Sequence, residues 1–414
     1  MSLRARLRAH RTRLHAAAGT SIGRLRLVYF LYFAAGGASQ PYLAAYLRGR
    51  GFTGAEIGSI QLAPSLLALV VGMAWAQVAE RTGDPVRVLR WISAWAACAA
   101  LFLPLAATPL AVGAVVLAQS LGDRAMVPLL DAVSLDHCHA HPGTSYARIR
   151  LFGSLGFLGL AFGLGQVLAW RGDRPGDPLV PVAAACLVAS CALAVRRLAP
   201  APSARTERAG LADLGGLIRD RRLVLLLCAC AVHWAASVPY MLFLGVFVRD
   251  LGLPASVTGA GIMAGVVAEI GVMMLYPALE RRFSSRGLLA TAFLASAVRW
   301  ALLARASHPA AVVALQLLHG LTYGLYWSAA VRQLGAIVPA RVRATGMALT
   351  SAVVNGGGFA LGAKLTGLGY DHYGSVGPVF LWAGGVDLTL AVAVLALLRR
   401  RRATAGEAGV DRAA

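Results

Sequence analysis

Charge is scarce in this 414-residue chain, with 14% of residues charged and only 18 of them acidic. A soluble globular domain carries about 25% charged residues, so that class is excluded. Lysine is almost missing: Lys364 is the one Lys, and every other basic residue is Arg. Aromatics make up 8%, and no run alternates over roughly ten residues as the strands of an outer-membrane barrel do. Cysteine is sparse and unpatterned. Cys98, Cys138, Cys186, Cys191, Cys228 and Cys230 lie within or beside apolar runs, none of them in an expected outer loop. No extracellular disulfide is implied, and the C-x-C spacing of Cys228 and Cys230 suits neither zinc nor redox chemistry. Collagen-like, disordered and disulfide-framework classes are excluded as well. The chain also lacks a P-loop, a zinc-helix motif and a nucleophile elbow, which argues against ATP hydrolysis and against a hidden catalytic domain.

What the chain does have is apolar length. It is 58% hydrophobic with 46 Gly, and its mean hydropathy is +0.66. Apolar runs fall at about 25–47, 57–79, 88–107, 109–136, 147–170, 178–195, 222–248, 257–279, 287–305, 309–336, 344–369 and 375–398. Each is long enough, at roughly 20 residues, to cross a bilayer as a helix. The expectation is an all-α membrane protein of twelve transmembrane helices.

The formal net charge of +21 raises nucleic-acid binding, but the arginines do not form one stripe. They collect at the amino end, in the links 80–87, 137–146, 196–222, 280–286 and 337–343, and at the carboxyl end. The intervening links carry few, and those are largely matched by acids. That alternation is a topology signal, which places both termini in the cytoplasm and speaks against a nucleic-acid partner. The basic stretch Arg4 to Arg26 is long for a signal peptide, so the first run is expected to stay as a helix. The organisation read from this is a basic segment 1–24, a six-helix half 25–196, a central link 197–221, a second six-helix half 222–398 and a tail 399–414.

Internal repetition supports the two halves. "GFTGAEIG" at 51–58 precedes the second run and "GLPASVTG" at 252–259 the eighth. Glu80-Arg81 follows the second run and Glu280-Arg281 the eighth, both offset by about 200 residues. Parallel six-helix repeats with a site between them near midplane are a transporter architecture. Over essentially its whole length the chain resembles the major facilitator superfamily. Glu80, Arg81, Glu280 and Arg281 look like degenerate copies of that family's G-x-x-x-D-R-x-G-R gating-loop motif, with Glu in place of Asp. Within the superfamily it is similar to the lactose-permease and 3-phenylpropionate transporter group, through "PLLDA" at 128–132, "YARIRLFGSLGF" at 146–157, "GVVAE" at 265–269, "AVRW" at 297–300 and "LLHG" at 317–320.

Ionisable residues deep in such runs need a partner or a watery cavity, because each costs roughly 2.5–3.5 kcal/mol to insert. Asp131 lies about ten residues before the link near 140 and Arg150 about ten after it, so helical rise puts them at one height on consecutive helices. An ion pair is available there. The resemblance implies a charge pair at the substrate cavity, and the plainer reading is a pair that only ties the two helices together. Glu269 and Arg299 are both about fifteen residues from the turn near 284, and His319 falls within about a turn of that level. The resemblance implies proton coupling and substrate recognition for these three. One departure is that the second Glu of the lactose permease, three residues after its His, is Thr322 here. Glu269 or Asp131 would then carry the proton. A carboxylate in a poorly hydrated cavity holds its proton more tightly than in water, as a carrier requires.

Two more departures make the site less suited to a sugar. Phe157 stands where the sugar permease stacks a Trp, and Val272 replaces an Asn. His319, Tyr323 and Trp327 share one helical stripe, and Tyr29 and Phe33 another. Such stripes are either packing surface or cavity wall. As cavity wall beside Arg150 or Arg299 they suit an aromatic carboxylate. Lys364, Asp387, His233 and Asp123 find no clear partner, and Lys364 with Asp387 is a strained match in height. Gly153, Gly156, Gly159 and Gly163 on the fifth run, and Asn355-Gly356-Gly357-Gly358 in the eleventh, suit either close packing or bending. "DHCHAH" at 136–141 has no second ligand cluster, so no metal is expected.

The expected function is a secondary active transporter of the bacterial inner membrane that uses protons to import a small organic solute. An aromatic acid such as a phenylpropanoate comes first, then a sugar or nucleoside. It is expected to need no cofactor, to do no catalysis, and to work as a monomer with solute, proton and lipid as its partners. The competing readings are a proton-antiport exporter of drugs or metabolites, and a non-transport membrane sensor. The latter calls for an added soluble domain that the sequence does not show.

Overall fold

The computed structural model describes residues 3–140, 144–199, 211–339 and 342–410. His141, the central link at 200–210 and the end of the tail at 411–414 lie outside the described residues. The described elements are α1 (Leu3–Ser39), α2 (Leu43–Gly49), α3 (Gly54–Ile60), α4 (Leu62–Thr82), α5 (Pro85–Ala100), α6 (Pro109–Asp123), α7 (Met126–Ala140), α8 (Tyr146–Trp170) and α9 (Leu179–Arg196). They continue as α10 (Leu211–Arg219), α11 (Arg221–Asp250), α12 (Ala255–Arg282), α13 (Ser285–Leu303), α14 (Pro309–Leu315), α15 (Tyr326–Ile337), α16 (Arg343–Thr350), α17 (Phe359–Tyr373) and α18 (Gly377–Val410). No strand occurs among the described residues.

The starts and stops are those the sequence chemistry favours. Thr53 and Glu56 form a capping box at α3, Asp84 caps α5 through the amides of Val86 and Arg87, and Ser284 caps α13 through Gly287. Each satisfies amides that a helix start leaves open. Gly374 ends α17 in the left-handed region at φ 70°, a conformation that favours glycine.

Among the described residues, eight helices are long and apolar enough to cross a membrane, or nine if the bent pair Gly54–Ala68 and Val70–Thr82 is one span. The expected twelve runs are helical, but this count falls short for local reasons. Arg24 and Arg26 dilute the first run. The tenth is broken by a 3-10 turn at Gln316–Leu318 and a π-helical turn at Gly320–Leu325. The eleventh carries a π-helical stretch at Ser351–Gly358, where the triple glycine sits.

By contact the chain forms two compact units. One contains 1–43, 67–164 and 177–207, and the other 44–66, 165–176 and 208–414. Segments 44–66 and 165–176 thus belong to the first half by sequence and to the second unit by contact. In the first unit a core of Leu25, Val28, Val86, Leu89, Ile92 and Leu130 joins α1, α5 and α7. Arg24 and Arg90 donate to the carbonyls of Arg197 and Leu198, just past the end of α9, where a helix leaves acceptors unpaired. Gly156 packs against the Phe30 backbone and Gly153 against the Phe33 ring, while Gly159 and Gly163 face open space. Close approach of α8 to α1 therefore uses two of the four glycines.

In the second unit α13 packs along α18, and α11 along α17 and α18. A second seam joins α3 to α17. Gly54 and Gly58 lie against the backbone of Gly367 and Ala363, and both carboxylate oxygens of Asp371 accept the amides of Gly54 and Ala55 at 2.6 and 2.7 Å.

Candidate functional site

The first unit holds one of the two expected charge centres. The Tyr29 hydroxyl on α1 donates to Asp131 on α7 at 2.5 Å, and Tyr146 also faces Asp131. The Arg150 guanidinium on α8 lies over the Phe33 ring at 4.1 Å and the Tyr29 ring at 5.5 Å. Among the described residues no carboxylate stands within 4 Å of it. The ion pair available from the sequence is therefore replaced: Tyr29 stands between Asp131 and Arg150 and serves both. Asp123 has Tyr32 and Arg124 as its neighbours. The Phe157 ring packs near Gly36 of α1, and its carbonyl meets Gly37. It is a half-buried part of the α1–α8 seam.

The second unit brings Glu269, Arg299 and His319 together from α12, α13 and the broken tenth helix. Arg299 is fully buried. Its guanidinium donates to Thr322 Oγ1 at 2.8 Å and Gln316 Oε1 at 2.5 Å, and lies over the rings of Tyr240 and Trp300. Gln316, which the sequence reading did not single out, is itself anchored to the Val312 carbonyl at 2.7 Å. Arg299 Nη1 also meets His319 Nδ1 at 3.2 Å. Arginine has no acceptor, so Nδ1 is the lone-pair nitrogen and the ring hydrogen sits on Nε2. That Nε2 faces Glu269 Oε2 at 3.6 Å, slightly longer than a hydrogen bond. Gly324 presses against the Glu269 backbone and side chain, and Gly265 against His319, so small residues let α12 approach the tenth helix.

Thr322, which stands where the resemblance to the lactose permease calls for a second Glu, accepts from Arg299 through its hydroxyl. The predicted stripe forms in part: His319 stacks on Tyr323 with centroids 5.3 Å apart, and Trp234 bridges Tyr323 and Trp327 at 5.7 and 6.3 Å. His233, Trp234, Tyr240, Arg299, His319 and Tyr323 line a small cavity within this unit.

The remaining charges settle differently from the sequence expectation. Lys364 donates to Ser59 Oγ at 2.8 Å, not to Asp387. Asp387 takes His233 at 2.7 Å and the Trp300 indole at 2.9 Å. The one available sign of that pair was two mid-run ionisable residues on the seventh and twelfth runs. Of the residues expected in gating loops, Glu80 and Arg81 are exposed at the end of α4. Glu280 pairs with Arg332, not with its neighbour Arg281. His137, Cys138 and the other described residues of 136–140 form no metal-binding group among the described residues.

Comparison with known proteins agrees with this architecture. A model of the MFS_1 like family matches residues 22–382. The chain is 30% identical over 384 residues to the maltose permease of Geobacillus stearothermophilus, covering 92% of this chain and 95% of that protein. It is 27% identical over 357 residues to the probable 3-phenylpropionic acid transporter of Escherichia coli (strain K12), covering 84% and 91%. The solved structure of the nucleoside transporter NupG superposes with a TM-score of 0.81 over 91% of this chain and 99% of that one. At 19% identity that likeness speaks for the fold. The chain is a multi-pass α-helical membrane protein with that fold.

Proposed function

The chain belongs to the MFS_1 like family, and on that premise we propose that it is a proton-coupled secondary active transporter importing a small organic solute by alternating access. It works as a monomer in the bacterial inner membrane with both termini cytoplasmic. The observation that carries the reading is the Glu269–His319–Arg299 chain. Glu269 is the proton carrier. With its carboxylate charged, the His319 N–H faces it and Arg299 supplies positive charge one step away. With its carboxyl neutral, that attraction is released, so the three helices that hold the chain feel the proton's arrival.

Arg150 is the solute ligand. A guanidinium lying on two aromatic faces, with no carboxylate beside it among the described residues, suits a carboxylate on a ring-bearing solute. Asp131 and Tyr29 orient that site. In the second unit Tyr323 and Trp327 offer aromatic faces, and Arg299 is committed to protein acceptors. An aromatic acid is therefore the first solute class. A sugar is the second, favoured by the similarity to the maltose permease.

The test is uptake by the full chain in proteoliposomes under an imposed inward proton gradient, with phenylpropionate, maltose and a nucleoside as probes. Phenylpropionate is expected to accumulate above its outside concentration and to stop when the gradient is collapsed. Maltose accumulating alone would move the assignment to sugars. Uptake indifferent to the gradient would overturn proton coupling, and solute driven out would turn the reading to export.

A further inference from the structure

His233 and Asp387 face each other from α11 and α18 and have no part in the reading above. They are 1% and 0% exposed. His233 Nδ1 lies 2.7 Å from Asp387 Oδ1, and the other Asp387 oxygen accepts the Trp300 indole N–H at 2.9 Å. On its far side, His233 Nε2 meets the Thr322 carbonyl at 3.2 Å. The rings of Tyr326 and Phe293 cover the imidazole at 4.3 and 5.0 Å.

Hydrogen accounting limits what this cluster can be. A carbonyl only accepts, so His233 Nε2 carries a hydrogen. Nδ1 and Oδ1 at 2.7 Å then need one hydrogen between them, whether it is placed on the ring or on the carboxyl. Without it, a nitrogen lone pair would point at a carboxylate in a buried place. With it, the pair is neutral as a whole, which is what the membrane interior demands. Trp300, Thr322 and Tyr326 are the other polar groups facing the pair. The charge next to it among the described residues is Arg299, reached through Thr322.

We infer that His233 and Asp387 share one proton and act as positioning residues for the proton site. They form a clasp on the π-helical turn of the tenth helix. Thr322 is where the clasp acts. Its carbonyl is held by His233 while its hydroxyl receives Arg299, and Arg299 in turn meets His319. The clasp thereby fixes where Arg299 and His319 stand relative to Glu269. Its importance for coupling rests on the role proposed for Glu269; the clasp itself does not.

The test uses the full chain in lipid, labelled with nitrogen-15 at histidine, with His233→Gln and His319→Gln to assign the two rings. The His233 Nε2 signal is expected to show a directly bonded hydrogen, and Nδ1 the shift of a nitrogen in a hydrogen bond to Asp387. An Nε2 signal with no bonded hydrogen would overturn the shared proton. Asp387→Asn preserves the clasp, because its amide donates to Nδ1 and its oxygen still accepts Trp300, so His319 keeps its wild-type signals. Asp387→Ala removes the clasp and shifts them. Should that variant fail to fold, Trp300→Phe removes one of the two bonds to Asp387 and gives a smaller shift of the same signals. Unmoved His319 signals in a folded Asp387→Ala or Trp300→Phe sample would overturn the positioning role, and so would Asp387→Asn behaving like Asp387→Ala. None of these readings needs a solute, so they stand apart from failure of Glu269 as the carrier. With a transported probe, Asp387→Ala lowers the accumulation ratio by roughly three- to thirty-fold and Asp387→Asn restores it.

Discussion

Tyr29 donates its hydroxyl hydrogen to Asp131 at 2.5 Å, across from α1 to α7, while its ring carries Arg150. The hydroxyl keeps the carboxylate satisfied, and so keeps it from competing for the guanidinium. Tyr29→Phe removes only that hydrogen bond. Asp131 then keeps Tyr146 as its tyrosine partner and can turn to Arg150, where the solute must displace it. The half-saturating solute concentration is expected to rise about ten-fold, with the maximal rate little changed, since a bond to a charged group contributes about 1.5–3 kcal/mol. Initial uptake rates measured over a solute series check this; an unchanged half-saturation would mean that Asp131 does not compete for the guanidinium.

Glu269→Gln keeps the shape of the carboxyl and removes its ability to lose a proton. Accumulation against a gradient is expected to disappear while exchange of labelled for unlabelled solute continues. Counterflow and uphill uptake, measured on the same proteoliposomes, separate the two. Uphill uptake at the wild-type level would reject Glu269 as the carrier.

The α3–α17 seam depends on glycine because a side chain at Gly58 would run into the Ala363 carbonyl. Gly58→Val is expected to cost about 1–3 kcal/mol by overpacking. The readout is a lower thermal midpoint of the purified protein in detergent. A midpoint within error of wild type would show that the helices separate there at no cost.

Asp371 accepts two amides at the start of α3. Asp371→Ala leaves them open and is expected to cost about 0.5–2 kcal/mol, as lost caps do. Hydrogen exchange at Gly54 and Ala55 should rise in this variant, and protection equal to wild type would contradict the cap.

Glu280 near the end of α12 pairs with Arg332 in the middle of α15, with their side chains 34% and 45% exposed. Solvent screens such a pair, so Glu280→Gln is expected to change stability by less than about 1 kcal/mol. A larger loss in thermal melting would mean that the link is buried by something beyond these two side chains.

Much of the fold was legible because a bilayer asks so little of a sequence: length, apolarity and paired backbone. The relative heights of Asp131 with Arg150, and of Glu269, Arg299 and His319, were legible too, because rise per residue converts position into depth. The partners were less so. His233 seemed alone, yet it meets Asp387, 154 positions away. Lys364 and Asp387, the pair suggested by sequence, each bond elsewhere. The tenth run was read as one regular helix, and its 3-10 and π-helical turns rotate Gln316 and Thr322 onto Arg299 in a way no regular periodicity foretells.

Sequence alone determined that this chain is a bundle of membrane-spanning helices carrying a few expensive charges at mid-depth, since hydropathy and helical rise depend on local order along the chain. Tertiary structure decided which of those charges touch. Bonding depends on the direction each side chain takes around its helix, and that direction is set by how glycine seams and broken turns let neighbouring helices settle against one another.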